Sequence, residues 1–390
     1  MEQNKKKILF ACYGLGIGGI EKCLVNLINI LPEEEFDIDL LIMNPEYDMQ
    51  PQIRRNVNYV DAFRYTLNTE FTMQEIRKRG GLWKHREKIL PYIDHRIRIK
   101  LGLPLWTTFQ PLEERYDIAI AYSQNGLAPY YVMDKVTADR KVLWYHNGAY
   151  EKSAKEYALD QKYYLAFDYV VAVSDACADV LREKFCFREG QLVVLYNICD
   201  VPGILEGSKE FVPESFEKKV FHITTVGRMS IEKGADLALE ACRILCERRK
   251  NICWHWVGDG NMAAGIRKQV TQMGLQNHFI LEGNHTNPYP YIRCADLYVQ
   301  PSRYESYSMT TMEAKILSKP IIITGVGGMK RLINHGKNGF VVSADAAAIA
   351  AAVLELMDDP AARAAFSAQL DEEVYSAEGI LQHYKEQVLR

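Results

Sequence analysis

"KKILFACYGLGIGGIEKCLVNLINIL", residues 6–31, is the stretch that decides the fold. It opens on a short apolar run, continues through Gly14-x-Gly16-x-x-Gly19, and from Ile20 repeats apolar residues at helical spacing. Strand, glycine loop and helix in that order begin a doubly wound α/β domain, and the glycine spacing is that of a dinucleotide fingerprint. An NAD site also needs an acid at the tip of the second strand, about 20 residues on, to hold the ribose hydroxyls. Here that strand ends "LLIMNPEYD" (40–48), with Met43 and Asn44 at the tip and Glu46 only after Pro45. The loop therefore reads as one whose glycines let backbone approach a phosphate, and not as an NAD site. Gly18, Gly19 and Glu21 are its informative part.

Outward from this stretch the alternation continues. "FDIDLLIM" (36–43), "YDIAIAYS" (116–123), "RKVLWYHN" (140–147), "FDYVVAVS" (167–174) and "LVVLYN" (192–197) read as strands, with the helix "DACADVLREKF" among them. Buried apolar strands alternating with amphipathic helices indicate a parallel sheet covered on both faces. A polar stretch with two prolines, 197–219, reads as a linker, and the pattern then restarts with "VFHITTVG" (220–227). Strands "ICWHWVGDG", "FILEG", "DLYVQPS" and "PIIITGV" follow, and Asn338-Gly339 turns into one more. The division expected is 1–198, 199–370 and a helical segment 371–390 packing back on the first domain. The fold class is α/β, two Rossmann-like doubly wound domains facing across a cleft.

Composition narrows the function. The 390 residues are 48% hydrophobic and 25% charged, ordinary for a globular chain, and the net charge of −3 argues against wholesale nucleic-acid binding. No apolar run reaches the ~18 residues that span a bilayer. No cleavable leader is read at the N-terminus, and nine cysteines without a CxxC pair fit a reducing cytoplasm. Residues 73–106 carry nine Lys/Arg against three Asp/Glu, with Leu, Ile, Trp and Tyr between them. That basic insertion reads either as a solvated cover or as a peripheral contact with anionic membrane. Two metal readings are weak. Cys242, Cys246 and Cys253 would need His255 as a fourth ligand, and Asp37-x-Asp39 lies within a strand whose two acids share a face open to solvent. No metal or cofactor is expected.

Three elements can carry chemistry. In "PSRYESYSMTTMEAKILSKPIIITGVGG" (301–328), Glu305 and Glu313 stand eight apart with a helix beginning between them. Ser306, Ser308 and Thr310 are good N-cap residues, and the free N–H groups of the first turn suit a phosphate. In "VGRMSIEKGADLALEA" (226–241), Gly227 closes a strand, and Arg228 and Lys233 can reach one diphosphate, one as a fork and one as a point charge. "VGDGN" (257–261) leaves room for a nucleotide.

These elements in this order resemble the GT-B-fold retaining glycosyltransferases of the glycogen-synthase-like family-4 (group 1) type. "GGIEKCLVNL" resembles that family's glycine-glycine-x-Glu start of its first helix, "VGRMSIEKG" its diphosphate segment, and residues 288–328 its Glu-x7-Glu region. The resemblance implies that Arg228 and Lys233 neutralise the donor diphosphate, that Glu313 binds ribose, and that Glu305 meets the transferred sugar. It implies that backbone N–H groups near Ser308 and Met309 meet the distal phosphate, and that His146 lies at the reaction centre. It further implies a nucleotide-sugar donor, a saccharide or lipid-linked acceptor, and retention of configuration without a protein nucleophile. Ser306 and Ser308 depart from the family, where glycines are common, as do Lys330-Arg331 after "GVGG". Competing readings are a nucleotide-sugar epimerase of the same fold and a non-catalytic nucleotide-binding partner.

Overall fold

The computed structural model describes residues 5–44, 46–60, 104–124, 126–216, 219–373, 375 and 377–389. Most of the basic 73–106 insertion lies outside the described residues.

The first sheet has seven strands in the order β3-β2-β1-β4-β5-β6-β7. They are β1 Lys6–Cys12, β2 Phe36–Ile42, β3 Asn58–Val60, β4 Arg115–Ala121, β5 Thr137–Tyr145, β6 Tyr169–Ala172 and β7 Leu192–Val194. The second has six in the order β10-β9-β8-β11-β12-β13. These are β8 Phe221–Val226, β9 Ile252–Val257, β10 Phe279–Gly283, β11 Leu297–Gln300, β12 Ile321–Thr324 and β13 Phe340–Val342. Every ladder is parallel. Both sheets reverse strand order once, between β1 and β4 and between β8 and β11, and ligands of such sheets bind at that switch, outside the carboxyl ends.

Burial explains the runs. Ile8, Leu9, Phe10 and Ala11 of β1 are fully buried, as are Ile118, Ala119, Ile120 and Ala121 of β4 to within 2%. Fully covered strands show no alternation, so they read clearly in the sequence. The helix Gly19–Ile30 buries Cys23, Leu24, Leu27 and Ile28 against them.

Three local features differ from the sequence reading. Edge strand β3 is three residues long and gave no pattern. The supposed linker holds a helix, Val201–Gly207, capped by Asp200, whose carboxylate accepts the Gly203 amide at 3.1 Å. Its proline sits in the first turn, where the missing N–H has no intrahelical acceptor in any case. Asp37 and Asp39 do not share a solvent face, which corrects the expectation. Asp37 is exposed, but Asp39 is buried, accepting Tyr116 Oη at 2.8 Å and Asn58 Nδ2 at 3.1 Å. The partner on β3 covers it.

The cysteine group is also divided. Cys242 and Cys246 are buried on the helix Ala235–Arg248, while Cys253 sits beside His222 and His255. Both ring nitrogens of His255 are already engaged, one by His222 at 2.9 Å and one by Glu282 at 2.7 Å. That chain of bonds, covered by the Phe216 ring, braces three adjacent strands.

After β13 the chain returns to the first domain. Tyr384 donates to the Tyr196 carbonyl at 2.5 Å and packs on Trp144 at 5.4 Å, and Arg140 holds the Val388 carbonyl.

The loop after β5 depends on one buried acid. Asp160 accepts Tyr130 Oη at 2.5 Å, Tyr150 Oη at 2.9 Å and Lys152 Nζ at 2.6 Å. Asp160→Ala strands all three donors and should lower unfolding free energy by about 3–5 kcal/mol. Urea denaturation of the purified variant measures it; a loss under 1 kcal/mol would contradict the role given to Asp160.

Candidate active site

The carboxyl ends of the two sheets face each other across a cavity of about 820 Å³. The loop after β1 and the helix it opens contribute Gly18, Gly19 and Lys22; the loops after β8 and β11 contribute Gly227, Arg228, Lys233 and Glu305, and the helix that follows β11 contributes Glu313. His146, at the end of β5, and Met309, opening the helix Met309–Ile316, also line it. Glu21, singled out from sequence, is not in the wall, and neither is Ser308. Its hydroxyl accepts the Thr311 amide at 3.3 Å and Thr311 Oγ1 at 2.9 Å, so it caps the helix from behind. Met309 and Thr310 bring that N-terminus to the cavity.

Charge in the wall is arranged in pairs and gaps. Lys233 Nζ is ion-paired with Glu305, whose side chain is only 7% exposed and also accepts Ser302 Oγ at 3.3 Å. Arg228 is exposed and has no hydrogen-bonded partner among the described residues. The segment carrying Glu305 is held rigidly. Gly327 has φ of 48°, and a Cβ there would lie 2.0 Å from the Glu305 carbonyl oxygen, so only glycine fits.

Glu313 is buried. Tyr289 donates to its Oε1 at 3.4 Å, while Oε2 has no hydrogen-bond partner. Burial pushes its carboxyl up to about 7, opposed by the charge of Lys22. An unsatisfied buried polar atom costs about 1–3 kcal/mol, more if charged, so its persistence at a cavity wall points to a ligand donor. Asn197 Oδ1 is a second such atom, and it too belongs to a cavity-lining residue.

His146 is fixed at every polar atom but one. Its amide donates to Gln124 Oε1 at 2.9 Å, and its carbonyl accepts Ser306 Oγ at 2.8 Å. Its Nε2–H donates to the Tyr122 carbonyl at 3.1 Å, which leaves Nδ1 as the bare nitrogen. Burial lowers its pKa to about 3, so the ring is neutral at ordinary pH.

Sequence reasoning missed Lys22, Asn197 and Tyr289. Lys22 donates to Gln52 Oε1 at 2.8 Å and lies 4.7 Å from the Tyr289 ring centroid, across the cleft. A cation on a helix and a tyrosine in a different domain carry no shared local signal; only the fold brings them together. The glycine loop also divides by role. Gly14 and Gly16 lie under the Glu46 carboxylate, whereas Gly18 and Gly19 face the cavity.

Comparison with known proteins identifies the family and the fold. Residues 17–201 match the family model "Glycosyltransferase Family 4" and residues 208–372 match "Glycosyl transferases group 1". The chain is 28% identical over 191 residues to mannosylfructose-phosphate synthase of Agrobacterium fabrum, covering 45% of this chain and 41% of that protein. It is 27% identical over 219 residues to the poly(ribitol-phosphate) α-N-acetylglucosaminyltransferase of Staphylococcus aureus, covering 53% and 44%. The matched stretches thus span less than half the length of these curated relatives. Among solved structures, Anabaena HepE with UDP and glucose superposes with a TM-score of 0.71 at 18% identity, covering 98% of each chain. S. aureus TarM superposes at 0.70 and 15% identity, covering 98% of this chain and 99% of that one. At such identities the superpositions carry the two-domain GT-B fold. The chain belongs to the family-4, group 1 glycosyltransferases.

Proposed function

We propose that the chain is a retaining hexosyltransferase that moves a sugar from a nucleotide diphosphate sugar, UDP-linked by preference, to a saccharide or lipid-linked acceptor. The observation that carries this reading is the wall itself: Arg228, Lys233, a helix N-terminus, Glu305 and Glu313 in one interdomain cavity. HepE was solved with UDP and glucose, and TarM with UDP, which favours uridine as the base.

In this reading Lys233 leaves Glu305 for the donor diphosphate, joined by Arg228 and the N–H groups that open the helix at Met309. Those groups offset charge on the departing diphosphate without a metal ion. Glu305, released from its ion pair, accepts hydroxyls of the transferred sugar. Glu313 Oε2 takes a ribose hydroxyl. His146 acts as a neutral dipole, since a ring with pKa about 3 holds no spare proton near neutrality. The acceptor oxygen attacks from the face the diphosphate leaves, and its proton passes to that leaving group. A peripheral membrane contact through 73–106 remains part of the proposal, and vesicle co-sedimentation tests it. An epimerase would consume donor and return an isomer with no acceptor product, so product analysis separates the two.

Three outcomes test the reading. Glu305→Ala should abolish transfer in a folded protein; near-wild-type turnover refutes its role. Arg228→Ala removes a charge-assisted contact of about 1.5–3 kcal/mol, so UDP should bind about 10–100-fold more weakly by calorimetry. Glu313 gives a pH signature. Burial raises its carboxyl from 4.5 to about 7, so its contribution to stability is present below about 4.5 and lost as pH rises through about 7. Ribose hydroxyls favour the ionised form, so UDP affinity should rise from pH 6 to 8 more steeply in wild type than in Glu313→Gln. Equal slopes would remove Glu313 from the ribose site.

A further inference from the structure

Glu305 and His146 come from different domains, and the only covalent path between them runs through the linker. Their relative position is therefore a matter of non-covalent contact. Among the described residues, one hydrogen bond joins the two loops directly: Ser306 Oγ donates to the His146 carbonyl oxygen at 2.8 Å. The approach around it is close. A Cβ on Gly148 would lie 3.4 Å from both Cα and Cβ of Ser306, so the loop after β5 sits on this residue with ordinary van der Waals contact. From the other side, a Cβ on Gly328 would lie 2.2 Å from the Ser306 carbonyl oxygen, so the Gly327–Gly328 turn seats Ser306 from behind. The remaining bonds of His146, to Gln124 and Tyr122, stay within its own domain. Only the serine bond reaches the opposite domain.

We propose that Ser306 is a positioning residue that holds the His146 carbonyl and Glu305 in register across the cleft before donor arrives. The inference rests on the transferase reading of these two residues. Glycine is common at this position in the resembled family, and glycine has no hydroxyl to make the bond. A carbonyl oxygen has two lone pairs, so one stays available to a sugar hydroxyl while the other takes Ser306. The serine thus aims the carbonyl without consuming it. Cleft closure elsewhere uses Gln52 Nε2 on the Thr286 carbonyl at 2.5 Å and the Arg331–Asp175 ion pair, neither of which touches His146 or Glu305.

Ser306→Ala and Ser306→Thr, in the full chain, test this with three readouts. These are kcat on the donor that the wild type turns over, the Kd for UDP, and ligand-free hydrogen exchange of the amides at 147–149. The alanine variant should lose about tenfold in kcat, the effect of one hydrogen bond of ~1.4 kcal/mol, with Kd for UDP within about twofold. Its 147–149 amides should exchange faster, and threonine, which keeps the hydroxyl, should recover part of both losses. Unchanged kcat and exchange in the alanine variant would overturn the proposal. So would a loss of UDP affinity equal to the loss in kcat, because Ser306 would then be a donor contact. If the wild type turns over no nucleotide sugar, the transferase reading fails, and the exchange measurement still decides whether Ser306 ties the two loops.

Discussion

Parallel strands leave every connection at the ends of a sheet, and here the carboxyl ends of two sheets face each other. The loops after β1, β8 and β11 can therefore carry glycine, arginine, lysine and glutamate without disturbing either core. The strands beneath stay apolar: Phe10, Ile120, Leu143 and Val171 are fully buried. The chemistry-bearing residues occupy the boundary between two rigid bodies, and their distances are set by how those bodies meet.

Electrostatics in that boundary follows from how each charged group is partnered. Arg228 is exposed with no hydrogen-bonded partner among the described residues, and Lys233 is ion-paired with Glu305. Glu313 solves the same problem differently. It has no cation in hydrogen-bonding contact, so burial drives its proton affinity upward until the neutral acid competes. One acid is ion-paired and the other has its carboxyl raised by burial, although the two stand eight residues apart around one helix start.

Much of this was legible in the sequence, for identifiable reasons. Strands buried on both faces carry unbroken apolar runs, so Ile8–Cys12 of β1, Ile118–Ala121 of β4 and Ile321–Ile323 of β12 stand out. Glycines forced by close approach, such as Gly327 over Glu305, leave the "GVGG" signature. Edge strand β3 was invisible because three residues, two of them exposed, have no hydrophobic face. The burial of Asp39 could not be read for the same reason, since β3 supplies its cover. Ser308 looked like a wall residue because an N-cap and a phosphate ligand share one residue type; only geometry separates them. Lys22 and Tyr289 were missed because each acquires meaning from the other, more than two hundred residues away, and Asn197 because only the fold places it in the cavity wall.

The return of the C-terminal segment has a mechanical consequence. The chain crosses between domains twice, once after β7 and again before Tyr384, whose hydroxyl is bonded to Tyr196 at the root of the first crossing. The two crossings therefore meet at one place, and a contact made there by the last helix reinforces the covalent connection that runs beside it. A truncation that removed this helix would take away the brace while leaving both sheets and the cavity wall intact in sequence.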